Sequence, residues 1–376
     1  MGVGAVGAGP VGVGLIGAGV ISNQYLENLT TAPDVRVVMV ADLDTDRAAA
    51  QAATYGVPSS GAVAELLARD DIEIVVNLTI PAAHVPVGLD ALAAGKHVWS
   101  EKPFALDLES GGRLLTEAHR AGLRVACAPD TVLGAGIQTG RRLIESGAIG
   151  TPLTALTLFQ VSGPESWHPN PDFLYARGGG PLFDMGPYYL STLIQLMGPA
   201  TRVVARGSRA RASRVIGSGP RVGESFAVEV PTHIAALIDF ENGTSAQSTF
   251  SFQSSRPRVG IVEIAGTEGT LSLPDPNMFD GDLRIWRDGM RVEADAEVVP
   301  ATGSTFSRGA GVVELARAIR AGVPERASGD FALHVLDLMV SIQSSAETDG
   351  EPVMVESTVT NPPALPEDWD PTAATL

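Results

Sequence analysis

The chain has 376 residues, 26 of them Lys or Arg and 43 Asp or Glu, so its formal charge is −17; it contains one cysteine. At ~100–200 residues per domain this length points to two domains, and 44% hydrophobic residues suffice for a sizeable core. The lone cysteine excludes an internal disulfide and a four-cysteine zinc site, the acidic balance argues against nucleic acid or an anionic membrane surface as main partner, and no stretch approaches the ~18 consecutive apolar residues of a membrane span.

The apolar, glycine-rich beginning lacks the basic region of a signal peptide, so the chain reads as cytoplasmic, with residues 1–10 a flexible lead-in. Short apolar runs then alternate with helical patterns. Val11–Ile16, Val35–Ala41, Ile72–Leu78, His97–Ser100 and Leu123–Ala126 read as strands. Val20–Leu29, Thr45–Thr54, Ala62–Ala68, Val85–Ala94 and Leu108–Ala121 read as helices between them. Such alternation implies βαβ units and a doubly wound, mostly parallel Rossmann sheet over residues 11–129. Beyond Pro129 the pattern changes. Thr139–Ser146 reads as one more helix, and Leu153–Val161, Thr201–Arg206, Thr232–Phe240, Thr244–Phe252, Val259–Ile264 and Thr270–Leu273 as strands. Turn signals separate them without intervening helices, which predicts an α+β domain over 130–356 with a mostly antiparallel sheet. Helices are expected at Asp184–Met197, Val312–Ala321 and Phe331–Thr348, and a loose Pro-rich tail over 357–376.

A GxGxxG spacing occurs in three overlapping frames, beginning at Gly2, Gly7 and Gly12. The dinucleotide motif needs a strand before it and a helix after it. Only Gly17-Ala18-Gly19-Val20-Ile21-Ser22 has both, with serine in place of the third glycine. There Gly17 makes the tight turn, Gly19 lets backbone approach a pyrophosphate, and Val20 and Ile21 begin the helix whose N–H groups face the phosphates. Asp42 follows the second strand, ~20 residues on, where a carboxylate binds the ribose hydroxyls of NAD and repels a 2′-phosphate. NAD is therefore favoured over NADP, with Arg47 nearby as the opposing feature.

The segment KHVWSEKPF (96–104), with the glycine turn and GGGPLFDMGPYYLS (178–191), resembles the glucose–fructose oxidoreductase / inositol dehydrogenase (Gfo/Idh/MocA) family over nearly the whole chain. The resemblance implies a nicotinamide cofactor in the first domain and an open-faced sheet in the second, whose exposed face forms a homodimer or homotetramer interface. It implies sugars, sugar derivatives or keto sugars as substrates. It sets the lysine of Glu101-Lys102-Pro103 beside the nicotinamide and the reacting carbon. Hydride transfer from an alcohol also needs a group to take the hydroxyl proton; Lys102, steadied by Glu101, is suited to it. Asp184 and Tyr188, four residues apart, share a helix face. Many family members carry histidine at the second position, and tyrosine places this chain with a tyrosine-bearing branch. Tyr188 then serves as proton donor or acceptor and Asp184 orients it or a substrate hydroxyl. Ser191 departs from the Asp of many inositol dehydrogenases.

Thr79, Pro81 and His84 match a family segment that passes the cofactor; for His84 a structural hydrogen bond is the equal alternative. Trp167 and His168, in a Pro-rich loop, suit a sugar site or, equally, an interface or lid loop. Tyr189, His97, His119, His233, His334 and Cys127 read as structural, and no metal-ligand cluster is visible. The leading expectation is an NAD-dependent sugar dehydrogenase or reductase. An NAD-dependent glycosidase working through transient oxidation, and a non-catalytic nucleotide-sensing regulator, are the alternatives.

Overall fold

The computed structural model describes residues 9–376; most of the lead-in expected over 1–10 lies outside the described residues. The chain forms two compact units. One takes in the described residues through Gly134 together with Gly303–Leu333 and Asn361–Leu376; the other takes in Ala135–Thr302 and His334–Thr360. The sequence division at 129/130 and 356/357 is continuous, whereas these units are not.

In the first unit the strands are β1 (Val11–Ile16), β2 (Val35–Ala41), β3 (Ser60–Gly61), β4 (Ile74–Asn77), β5 (His97–Ser100) and β6 (Val125–Cys127). Helices α1 (Val20–Leu29), α2 (Thr45–Tyr55), α3 (Val63–Leu67), α4 (His84–Ala93) and α5 (Leu108–Ala121) alternate with them. All pairings are parallel, in the order β3-β2-β1-β4-β5-β6. This is the doubly wound order whose direction reverses between β1 and β4. β1 is buried along its whole length, as a strand covered on both faces must be. Within it, a Cβ on Gly12 would fall 1.8 Å from the Asp71 carbonyl oxygen, and one on Gly14 2.8 Å from Ile72 Cδ1. Gly12 and Gly14, the first two glycines of the third GxGxxG frame, therefore serve packing around the sheet. The two-residue β3 carries no apolar pattern, so only its pairing with β2 reveals it.

The second unit opens with α6 (Ala135–Glu145), four residues earlier than its sequence pattern suggests. Gly136 and Gly140, which weaken that pattern, are packing sites: Cβ atoms there would lie 2.6 Å from Pro274 Cγ and 2.7 Å from Leu273 Cδ2. Then follow β7 (Pro152–Gln160), α7 (Gly180–Met197), β8 (Ala200–Ser208), β9 (Ser213–Val215), β10 (Ser225–Ala227), β11 (His233–Phe240), β12 (Ser245–Ser251), β13 (Arg258–Gly266), β14 (Thr270–Leu273), β15 (Leu283–Trp286) and β16 (Glu297–Val299). With β17 (Val353–Met354), nine of these strands form one sheet, ordered β16-β15-β14-β13-β7-β12-β11-β8-β17 and antiparallel except for β7–β12. β9 and β10 form a separate hairpin. α7 packs on β7, β11 and β12, over the alternate residues Ile234, Ala236, Ile238 and Phe240 of β11, which are buried. Leu237 points the other way and is 55% exposed.

The chain then returns to the first unit as α8 (Ala310–Ala321), before α9 (Gly329–Glu347). Val312, Val313, Leu315 and Ala316 of α8 join the same core cluster as β1 and α1. The fully buried Asp130 caps the start of α8: its Oδ2 accepts the Gly309 N–H at 2.8 Å and the Gly311 N–H at 3.3 Å, and Arg308 Nη1 lies 3.3 Å from Oδ1. Arg320 forks onto Glu73, and Arg317 reaches Asp34 at 2.7 Å. The tail has neither helix nor strand, as its prolines imply, but it is fastened rather than loose. Asp34 accepts the Thr375 N–H and hydroxyl and the Leu376 N–H at 2.8, 2.6 and 3.0 Å, and Leu365 is buried beside Val132 and Leu133.

Gly311 has no room for a side chain, since a Cβ there would lie 1.9 Å from Trp99 Cη2. Gly311→Ala should therefore destabilise the first unit by about 1–3 kcal/mol, as overpacking of a filled core does. Denaturant unfolding of both proteins measures it; equal stability would contradict this packing.

Candidate active site

The turn after β1 is built on Gly17, whose φ of +106° lies in the left-handed region. A Cβ there would come 2.6 Å from the Leu78 carbonyl oxygen. Gly17 donates its N–H to Ala41 O at 2.8 Å, tying the turn to the end of β2. Gly19 is the N-cap of α1 and meets nothing within 4 Å of its Cβ position. The first turn of α1, with Val20 exposed and Ile21 half-buried, has no capping side chain and no acidic residue. Open space against an uncapped helix N-terminus forms a cradle whose shape and free N–H donors suit a pyrophosphate. Ser22, in the third motif position, is fully buried, and its hydroxyl turns back to Gly19 O at 2.6 Å.

Asp42 is buried at the end of β2. Its Oδ2 accepts the Ala18 N–H at 2.7 Å, and its Oδ1 accepts the Asp44 N–H at 2.9 Å and Arg47 Nη2 at 2.8 Å. Burial opposes its charge, but these donors outweigh burial and hold the carboxyl below the usual aspartate range. Each carboxylate oxygen accepts more than one hydrogen bond, so capacity remains for ribose hydroxyls. These residues fit a nicotinamide dinucleotide.

The loops after β4 and β5 are joined by buried polar groups. Asn77 donates to His84 O at 2.9 Å and accepts the Thr79 hydroxyl at 2.6 Å. His84 is buried, with Nδ1 2.8 Å from Pro103 O and Nε2 3.0 Å from Thr79 O. Burial lowers its pKa against the pull of those two carbonyls. Both ring nitrogens thus face carbonyls, and His84 pins Thr79 to the Glu-Lys-Pro turn. Pro81 opens a short 3₁₀ turn leading into α4. Glu101 donates its N–H to Asn77 O at 2.9 Å. Its Oε2 accepts the backbone N–H of Lys102 at 3.0 Å, and its Oε1 accepts the hydroxyl of Tyr25 at 2.8 Å. Tyr25 and its neighbour Trp99 were not among the residues singled out from sequence. The available signal was a tyrosine on the apolar face of α1, whose buried hydroxyl requires a partner.

In the second unit, α7 begins one turn earlier than expected, with Pro181 in its first turn, where proline is favoured. It carries Asp184, half-buried, and Tyr188, 7% exposed, on one face. Ser191, a turn further along, is buried, and its hydroxyl has no hydrogen-bond partner. Tyr189 is structural: it accepts the Gly260 N–H at 2.8 Å and packs against Phe159 and Phe250. Trp167 is 67% exposed, and His168 lies edge-on to both Trp167 and Phe173 at 5.5 Å. The β9–β10 hairpin pins this loop. Arg214 pairs with Glu165, and the Arg221 fork meets Asp172 at 2.8 and 3.0 Å. Lys102 thus belongs to the first unit, and Asp184, Tyr188, Trp167 and His168 to the second.

His97 is also structural; its Nδ1 accepts the Arg124 N–H at 2.9 Å, and burial pushes its pKa down to about 4. Among the described residues no group of three His, Cys, Asp or Glu side chains could hold a metal ion, and no helix is long and apolar enough to cross a membrane.

Residues 11–128 match the family model described as oxidoreductase family, NAD-binding Rossmann fold, and residues 137–272 match the GFO/IDH/MocA C-terminal domain. The chain is 30% identical over 333 residues to dTDP-3,4-didehydro-2,6-dideoxy-alpha-D-glucose 3-reductase of Streptomyces violaceoruber, covering 85% of this chain and 91% of that protein. It is 26% identical over 361 residues to D-apiose dehydrogenase of Paraburkholderia graminis, covering 92% and 89%. Its fold resembles levoglucosan dehydrogenase in complex with NADH and L-sorbose, with a TM-score of 0.80 and 20% identity over 93% of this chain and all of that one.

Because its backbone is extended and its Cβ position meets no neighbour, Gly19→Val should cost the fold no more than about 1 kcal/mol, the preference for glycine over valine at an N-cap. It should weaken NAD binding at least about tenfold, or about 1.4 kcal/mol, by filling the cradle. Calorimetric titration with NAD measures this, and unaltered affinity would refute the assignment of the cradle.

Proposed function

Since the chain belongs to the GFO/IDH/MocA oxidoreductase family, we propose that it moves a hydride between NAD and a ring carbon of a sugar, sugar derivative or keto sugar. The observation that carries this reading is the Glu101-Lys102 turn. It follows β5, at the carboxyl edge of the parallel sheet, where folds of this order bind their ligands. Relatives named as sugar-nucleotide reductases and sugar dehydrogenases support the substrate class.

Bound nicotinamide supplies the hydride acceptor or donor. The rest is proton handling by the chain. In the oxidative direction the carbinol carbon loses hydride while its hydroxyl loses a proton. Lys102 and Tyr188 carry that proton, and Asp184 orients Tyr188 or binds a neighbouring substrate hydroxyl. In reduction the same groups return the proton to the new alkoxide. Thr79 and Pro81 line the cofactor's path, with His84 holding their loop. Trp167, a broad exposed ring face, and His168 contact the sugar. The half-exposed outer face of the nine-stranded sheet, with Leu237 and, aligned with it through Gln247, Leu156, is the face through which two or four copies associate.

Lys102→Ala should lower turnover about 10²–10⁴-fold, the usual share of an acid–base group, while NAD affinity stays within a few-fold. Tyr188→Phe should act in the same direction. Stopped-flow absorbance of NADH against a panel of sugars and keto sugars reads both. Near-normal turnover of Lys102→Ala would overturn the proposal.

A further inference from the structure

α1 contributes more than its N-terminus. Tyr25, two turns into the helix, is fully buried, as is Trp99 of β5. The indole Nε1–H of Trp99 donates to the Tyr25 hydroxyl at 3.0 Å, and that hydroxyl donates to Glu101 Oε1 at 2.8 Å. The other carboxylate oxygen accepts the backbone N–H of Lys102 at 3.0 Å. Donors therefore converge on the Glu101 carboxylate: Trp99 acts through Tyr25 on one oxygen, and the backbone N–H of Lys102, the residue assigned to proton transfer, holds the other.

The first of these donors is immobile. The Trp99 ring fills the space where Gly311 would carry a Cβ, 1.9 Å from Cη2. Burial, then the negative charges of Glu101 and Asp130, keep the Tyr25 phenol protonated against the opposing pull of Trp99 and Arg308. It is therefore a permanent donor. Glu101 is itself buried, and the donors on both of its oxygens hold the carboxylate in one rotamer.

We propose that Tyr25 is a positioning residue for the reaction: through its hydrogen bond to Glu101 it holds the Glu101–Lys102 backbone, and so fixes where the Lys102 ammonium lies and the charge beside it. This rests on the reading of Lys102 given above. The other titratable or charged groups facing this cluster are His84 on α4, Cys127 on β6, Asp130 beyond it and Arg308 before α8.

The test compares Tyr25→Phe, Glu101→Gln and the double variant in the full chain, by NAD affinity, kcat, KM and the pH profile of kcat. Tyr25→Phe should lower kcat about tenfold, leave NAD affinity within about twofold, and displace the pH limb that vanishes in Lys102→Ala. Because Tyr25 acts through Glu101, the double variant should lose no more kcat than Glu101→Gln alone. An unaltered kcat and pH limb in Tyr25→Phe, or losses that multiply in the double variant, would overturn the proposal. If Tyr25→Phe fails to fold, Trp99→Phe, which keeps the phenol but removes its donor, is compared in the same way. An active Lys102→Ala defeats the parent reading. An inactive Lys102→Ala beside a normal Tyr25→Phe defeats this inference alone.

Discussion

The approach of the Gly17 turn to the Leu78 carbonyl is the constraint on which the first unit depends. A Cβ there would lie 2.6 Å from that oxygen, so only glycine lets the chain leaving β1 lie against the chain leaving β4. That contact sits at the switch point of the sheet, where neighbouring strands send their connections to opposite faces. From it follow the exposure of the α1 N-terminus, the bond from Ala18 N–H to Asp42, and the placing of Thr79 beside the same turn. A cofactor cradle of this kind is a consequence of backbone packing before any side chain takes part.

The loops at this edge hold together through polar groups that are buried yet satisfied. Asn77, His84, Glu101 and Tyr25 each meet partners from a different element. Buried polar groups are costly when unpaired and rigid when paired, so the Glu-Lys-Pro turn is presented on a stiff base. Ser191 on α7 is the contrast: a buried hydroxyl with no partner, on the face that carries Asp184 and Tyr188.

The first unit is completed by two later stretches of chain that flank the last part of the second. α8 supplies core residues, Asp130 supplies its missing cap, and Asp34 gathers the tail. Three arginines of the returning segment, Arg308, Arg317 and Arg320, meet Asp130, Asp34 and Glu73. In a chain with a large acidic excess, these three pairs set positive charge against carboxylates inside this unit.

Periodicity and turn chemistry are local, and what they govern was legible in the sequence. The alternation of strand and helix through Cys127, the strand–glycine–helix frame at Gly17, the acid at Asp42 and the change to hairpin-linked strands after Pro129 all follow from residues near one another in the chain. The Glu-Lys-Pro and GGGPLFDMGPYYLS segments carried the family. Tertiary structure alone decided which glycines are turns and which, like Gly12, Gly136 and Gly311, are packing sites, because that depends on what lies opposite. It decided that both ring nitrogens of His84 face carbonyls, that Tyr25 stands behind Glu101, and that α8 and the tail return to the first unit. Each of these joins residues far apart in sequence, and no local pattern records a partner that only folding brings near.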